Sequence, residues 1–269
     1  MNKVAKKKVT DEEKAKRIEE YKKILFSKMT NTKPREETKY NCYKCRDMLY
    51  TFNEQGVAIP CECKDKAESL EKLKKCGLEE AFKEKTFAAF KVTTKSQQIV
   101  KEQAINYCNS FKETNSSLIL CGPPGTGKTH LATATMLDLI NQNVSCKYEL
   151  YTSMLINLKQ SVMDSENFMN EMSKYKVPKV LFLDDFLKGK PTDADLKYIF
   201  EIVNERYLKK KPLIISSELS IKQLMDWDEA TTSRLVQMAQ GNIIQTGNIK
   251  NQRIFNNFSW QSCVMCNTI

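Results

Sequence analysis

The sequence predicts an α/β protein: a parallel sheet with helices on both faces, preceded by a small four-cysteine module and an N-terminal helix. Three observations predict it. Residues 122–129 read GPPGTGKT, a phosphate-binding loop between a short apolar run, Ser117 to Leu120, and a helical pattern of Leu131, Ala132, Met136, Leu137 and Ile140. From Lys95 onward, apolar runs of strand length alternate with segments of helical periodicity, the order that builds parallel sheets. Between residues 40 and 64, two close cysteine pairs flank a segment long enough for a hairpin.

Along the chain, Thr10 with Glu13 forms a capping-box pattern that opens a helix through about Phe26. Its stripe of Ile18, Tyr21, Ile24, Leu25 and Met29 is narrow and otherwise surrounded by charge, which suits either a docking helix or a solvated extension. Cys42 and Cys45 form a CxxC, and Cys61 and Cys63 a CxC, on the two sides of a hairpin read over Met48–Phe52 and Gly56–Ile59. Four thiolates brought together in this way give zinc a closed tetrahedral site with no position open for water. The competing reading is four unrelated thiols. Cys263 and Cys266 form another CxxC with no second pair beside it and are read as incidental. Residues 65–86 read as helical and join this module to the core.

In the core the expected order is a helix over 96–112, the loop strand and loop helix, and a strand near 144–150. A helical stretch through 153–173 follows, then a strand Lys179–Leu183 and a helix over 195–209. A strand Pro212–Ser216, helices through the 220s and 230s with Ser220 as a cap, and a strand Ile243–Gln245 complete it. The domain reading is 1–80 for the helical and cysteine-bearing region and 81–269 for the nucleotide domain.

The loop carries the chemistry. Gly122, Gly125 and Gly127 let the backbone curl so that its N–H groups face an anion, and the helix that follows adds the positive end of its dipole. Pro123, Pro124, Thr126 and His130 complete the predicted binding segment. Lys128 can reach the β- and γ-phosphates of ATP, and the Thr129 hydroxyl can ligate Mg2+. Val180 to Leu183 is an apolar strand ending in Asp184 and Asp185. Ligands of an open parallel sheet lie beyond the carboxyl ends of its strands, so Asp184 is placed to hold Mg2+ and Asp185 to orient water. Ser216 and Ser217 end another apolar run, as residues that touch the terminal phosphate or as an ordinary strand-to-turn transition. Arg234 lies on a helix start after Asp228 to Thr232, either as a transition-state arginine for a neighbouring subunit or as a surface ion-pair member.

Composition sets the bounds. Lys and Arg outnumber Asp and Glu 43 to 33, a formal charge of +10, which favours nucleic acid ahead of a membrane surface. No apolar stretch approaches the length of a membrane span, and the basic MNKVAKKKVTDEEK lacks a signal core, so a cytoplasmic protein with no membrane partner is expected. With one histidine in the chain, His130, nucleophilic Ser–His or Cys–His chemistry elsewhere is excluded, and His130 itself reads as a packing residue.

Over roughly residues 40–255 the chain resembles the AAA+ ATPases of the bacterial replicative helicase-loader family, the DnaC/DnaI type. The cysteine module, LFLDD followed by Lys188-Gly189-Lys190 and YIFEIVNERYL, and IISSELS followed by DEATTSRLVQMAQG carry the resemblance. It implies an ATPase that loads a hexameric replicative helicase onto single-stranded DNA and self-associates in an ATP-dependent ring or spiral. It also implies catalytic roles for Lys128, Asp184 and Asp185, a sensor at Ser216 or Ser217 with Glu218 nearby, and an arginine finger acting in trans at Arg234. Arg253 is a candidate second sensor. Lys159, Lys174 and Lys176 are candidate DNA contacts in the stretch where related proteins carry an insertion. The alternatives are an IstB-type transposition helper, whose relatives typically begin with a helical domain lacking zinc ligands, and a nucleotide-gated adaptor with weak hydrolysis.

Overall fold

The computed structural model describes residues 40–252 apart from 54, 76–81 and 83. The N-terminal helix, Arg253, Cys263 and Cys266 lie outside the described residues. Two compact units are distinguished, Met1–Asp47 and Met48–Ile269. In the first, residues 40–47 form a turn in which the Asp47 carboxylate accepts the N–H groups of Cys42 at 2.8 Å and Asn41 at 3.2 Å.

The second unit begins with an antiparallel hairpin, β1 (Tyr50–Phe52) and β2 (Ala58–Pro60), followed by helix α1 (Lys64–Lys75). Asn53 makes the turn: its side-chain oxygen accepts the N–H groups of Gln55 and Val57, a local competition with the ladder that ends the strand. The bounds differ from the runs the sequence marks: β1 starts only after Leu49, whose φ of +64° interrupts an extended run, and β2 starts at Ala58 because the turn takes up Gly56 and Val57, and it ends at Pro60.

The main body alternates strand and helix as expected. Helix α2 (Lys95–Thr114) opens with a capping box between Thr94 and Gln97 and is followed by β3 (Leu118–Cys121) and α3 (Lys128–Asn141). Then come β4 (Cys146–Leu150), α4 (Tyr151–Ser161), α5 (Ser165–Lys176), β5 (Val180–Asp184) and α6 (Asp193–Leu208). Strand β6 (Leu213–Ser217), α7 (Ile221–Trp227, capped by Ser220), α8 (Glu229–Ala239) and β7 (Ile243–Gln245) complete it. One expectation is corrected. The stretch read as one helix over 153–173 is two, because Asp164 caps a new start by accepting the N–H groups of Glu166 and Asn167.

The five strands lie in the order β4-β5-β6-β3-β7, and every pairing is parallel. Because strand side chains alternate, the central strands feed two cores. Leu118, Leu120, Val180, Phe182 and Ile214 pack with α2 and α3 on one face. Ile119, Leu181, Leu183, Leu213 and Ile215 pack with α4, α6 and α8 on the other. A strand buried on both faces must be apolar along its whole length, which is why these runs show no polar alternation. The parallel arrangement brings the carboxyl ends of β3, β5 and β6 to one edge, and the site is built there.

Candidate nucleotide-binding site

The loop between β3 and α3 is held open by its glycines. Gly125 has φ +77° and Gly127 φ +92°, conformations that L side chains rarely adopt. A Cβ on Gly125 would fall 2.0 Å from the Asn251 side-chain oxygen, and one on Gly127 would fall 2.7 Å from a ring carbon of Phe90. The loop is braced from behind. The Thr126 hydroxyl donates to the Pro123 carbonyl at 3.0 Å and shares a 2.6 Å hydrogen bond with the Thr246 hydroxyl, just beyond β7. Lys128 is almost fully buried and folds over the loop, its ammonium donating to Pro123 O at 2.8 Å.

The two oxygens read as magnesium ligands lie next to each other. Thr129 Oγ1 donates to Asp184 Oδ1 at 2.9 Å, so a hydroxyl on a helix start and a carboxylate on a strand end, 55 residues apart, stand side by side. Hard oxygen donors of this kind suit Mg2+. Ser216 Oγ also donates to Asp184 Oδ1 and accepts the N–H of Asp185 at 3.1 Å, so one hydroxyl orients both aspartates. Tyr148, on neighbouring β4, donates its hydroxyl to Asp184 Oδ2 at 3.3 Å. Burial, with the Asp184 charge beside it, pushes the Tyr148 phenol well above its ordinary range, so it stays a donor.

Beyond Asp184 the chain turns sharply. Asp185 (φ +53°) and Leu187 (φ +55°) are both left-handed, a costly choice for residues with side chains. The turn is overdetermined from β6: Phe186 N donates to Ser216 O at 2.8 Å, and Ser217 Oγ donates to Phe186 O at 2.8 Å. Ser217 is fully buried and faces this turn; the residue from that strand end which lines the cavity is Glu218. Lys188 closes the turn, its ammonium 2.8 Å from Asp185 Oδ2 and 3.5 Å from Glu218 Oε1.

A cavity of about 450 Å3 lies over the loop, lined by Lys85, Pro124, Gly125, Gly127, Lys128, Thr129, His130, Asp185, Glu218 and Gln252. Gln252 donates its backbone N–H to Gly125 O at 2.8 Å, and its side-chain nitrogen is buried without a partner among the described residues. An orphaned donor beside a cradle that a Cβ would fill fits a bound group rich in acceptor oxygens, as a nucleotide is. His130 both lines the cavity and packs against its neighbours. Its Nε2 lies 2.8 Å from Thr86 O, its ring meets Phe90 edge to face, and burial lowers its proton affinity.

Other predicted residues lie away from this cavity. Arg234 is on α8, where its guanidinium donates to Asn204 Oδ1 at 3.0 Å and Ala230 O at 2.7 Å and stacks over Phe200. Lys159 pairs with Asp195 at 2.7 Å, Lys174 pairs with Glu171, and Lys176 pairs with Glu201 and Glu205 at 2.8 Å each. Each candidate DNA lysine is thus held by a carboxylate of its own chain. The Cys42, Cys45, Cys61 and Cys63 sulfurs all lie within 4.8 Å of one another, a donor set that fits zinc. Sequence reasoning missed Tyr148, Lys85 and Gln252; their residue types carry no motif, and only the fold brings them to the site.

A glycine-rich loop on a helix start, facing a strand-end aspartate in a parallel sheet, defines a P-loop nucleotide-binding protein. The family model described as IstB-like ATP binding protein matches residues 65–246, and the chain belongs to this family of AAA+ ATPases. It is 36% identical over 197 residues to the uncharacterized protein YqaM of Bacillus subtilis, covering 68% of this chain and 62% of YqaM. It is 31% identical over 229 residues to the phage-like element PBSX protein XkdC of the same organism, covering 79% of this chain and 85% of XkdC. Further relatives are of two kinds. The replicative helicase loader DnaC of Buchnera aphidicola subsp. Schizaphis graminum is 26% identical over 205 residues, 74% of this chain and 80% of that protein. An insertion sequence IS232 ATP-binding protein of Bacillus thuringiensis subsp. berliner is 29% identical over 136 residues, 49% of this chain and 51% of that protein. The crystal structure of the DnaC helicase loader shares the fold, with a TM-score of 0.54 and 21% identity over 64% of this chain and 99% of that one. No described helix is long and apolar enough to cross a membrane.

Proposed function

We propose that this chain hydrolyses ATP and uses the cycle to load a hexameric replicative helicase onto single-stranded DNA. Residues 1–80 engage the helicase, 81–269 form the ATPase domain, and copies assemble in an ATP-dependent ring or spiral. Lys128 neutralises the β- and γ-phosphates, Asp185 orients the attacking water, and Arg234 of a neighbouring copy stabilises the transition state. Mg2+, held by Thr129 and Asp184, supplies charge neutralisation at the terminal phosphates when bound.

The observation that carries the choice of loader is the four-cysteine cluster ahead of an intact nucleotide site. The IstB-like match begins at residue 65, after Cys63, so it does not include the cluster. The second reading, an IstB-type transposition helper, draws on the insertion-sequence relatives and predicts duplex DNA and a transposase as partners. Co-purification with the replicative helicase of the same source, with and without ATP, separates the two. The loader reading expects a complex that residues 81–269 alone do not form. Absence of any complex in either condition, together with ATP-dependent assembly on duplex DNA, would overturn it in favour of the helper.

A further inference from the structure

Two carboxylates, Asp185 and Glu218, line the nucleotide cavity beyond the strand ends, on the side of Lys128, Thr129 and Asp184. That side takes the terminal phosphates, because the loop lysine reaches the β- and γ-positions and the Thr129 hydroxyl serves the metal. Negative charge there opposes a third phosphate far more than it opposes a diphosphate, whose charge ends one phosphate earlier. Lys188 answers this charge. Its ammonium bridges Asp185 Oδ2 at 2.8 Å and Glu218 Oε1 at 3.5 Å, without itself lining the cavity. The bridge ties the turn after β5 to the end of β6, and the backbone reinforces it: Lys188 N donates to Asp185 O at 3.1 Å, and Gly189 follows at φ +94°.

We propose that Lys188 is a specificity-determining residue of this site: by offsetting one of the two negative charges that Asp185 and Glu218 bring, it makes the cavity selective for a nucleoside triphosphate over the diphosphate. The inference rests on the reading of the cavity as the ATP site, and it concerns binding, so it does not depend on hydrolysis. At a separation of about 6 Å in a solvated pocket, one uncompensated charge weakens binding of the terminal phosphate by about threefold to tenfold.

The test is equilibrium binding of ADP and of the β,γ-methylene analogue of ATP, with Mg2+, to the full chain. Lys188→Met is expected to weaken the triphosphate about threefold to tenfold and ADP less than twofold, and the difference should shrink as salt rises. Lys188→Arg should keep the wild-type preference. Adding Glu218→Gln to Lys188→Met removes one of the exposed charges and should recover most of the triphosphate affinity, which a misfolded variant would not do. Equal loss of both nucleotides, no loss of either, or no recovery in the double variant overturns the proposal. A wild-type chain that binds neither nucleotide would instead overturn the reading of the cavity, and the proposal with it.

Discussion

Replacing Arg206 tests whether the strand ends that carry the site are held from their opposite ends. Arg206 lies on α6 with no exposed surface, and its guanidinium donates to four backbone carbonyls. Nη1 reaches Tyr175 O at 2.9 Å and Pro178 O at 3.1 Å; Nη2 reaches Lys179 O at 3.0 Å and Pro212 O at 2.6 Å. One side chain therefore joins the end of α5 to the entries of β5 and β6, the strands that deliver Asp184 and Glu218. Burial lowers its pKa to about 9, so it remains a cation at neutral pH. At about 1.5–3 kcal/mol for each bond to a charged group, the four are worth about 6–12 kcal/mol gross. Two effects reduce this. Arg206→Met removes the desolvation cost of the cation, which is several kcal/mol, and Pro212 O keeps a second donor in Leu181 N at 3.3 Å. The carbonyls cannot be exchanged for apolar groups as a side-chain partner could, so the net loss falls at about 3–5 kcal/mol. For a domain of this size, at about 2–4 °C per kcal/mol, that is a fall in Tm of about 6–20 °C. Arg206→Lys keeps the charge, but a single ammonium cannot reproduce the planar fork, and it should fall between the two. Thermal unfolding followed by circular dichroism, without nucleotide, measures this. A Met variant that melts within about 2 °C of wild type would refute the reasoning.

The site gives three further predictions. Lys128→Ala should abolish ATP binding, while Asp185→Asn should bind ATP and hydrolyse it slowly; equal loss of binding in both would argue against separate roles. Zinc should co-purify at about one ion per chain, and Cys61→Ser should lose the metal while the thermal transition of the nucleotide domain is kept; metal-free protein from reducing, chelator-free buffers would exclude the site. Arg234→Ala should bind ATP as an isolated subunit yet lose turnover on assembly, where such fingers contribute about 10³–10⁵ in rate. Mixing it with Lys128→Ala should restore some hydrolysis at junctions that pair an intact loop with an intact finger, and mixed assemblies with none would disprove action in trans.

The parts of the site that were legible in the sequence are those whose chemistry needs consecutive residues. The loop must be contiguous to cradle a phosphate, and an apolar run ending in two aspartates must deliver them at a strand end. The fold class and strand order of appearance followed from the same local patterns. Asp164 carried a legible signal too, a capping aspartate before Ser165 and Glu166, inside the stretch that was read as one helix over 153–173. What was not legible depends on partners far away in the chain. Thr126 meets Thr246 across 120 residues, and Arg206 reads locally as one more charge on a surface helix. The lysines at 159, 174 and 176 look like a basic face until the fold supplies Asp195, Glu171, Glu201 and Glu205.

The serines at the end of β6 show how residue type and residue role separate. A hydroxyl next to a phosphate site invites the role of a sensor, and strand alternation alone leaves open whether Ser216 or Ser217 holds it. Each hydroxyl has one proton to donate. Ser216 commits its proton to Asp184 and accepts from Asp185 N, and Ser217 commits its proton to Phe186 O. Ser216, by accepting from Asp185 N, and Ser217, by donating to Phe186 O, both hold the left-handed turn that carries Asp185. With the hydroxyls spent on the turn, the side chain left facing the cavity is Glu218, an anion where the incoming phosphate is also anionic. The cation beside that carboxylate is Lys188, 3.5 Å away, which stands where the turn held by the two serines puts it.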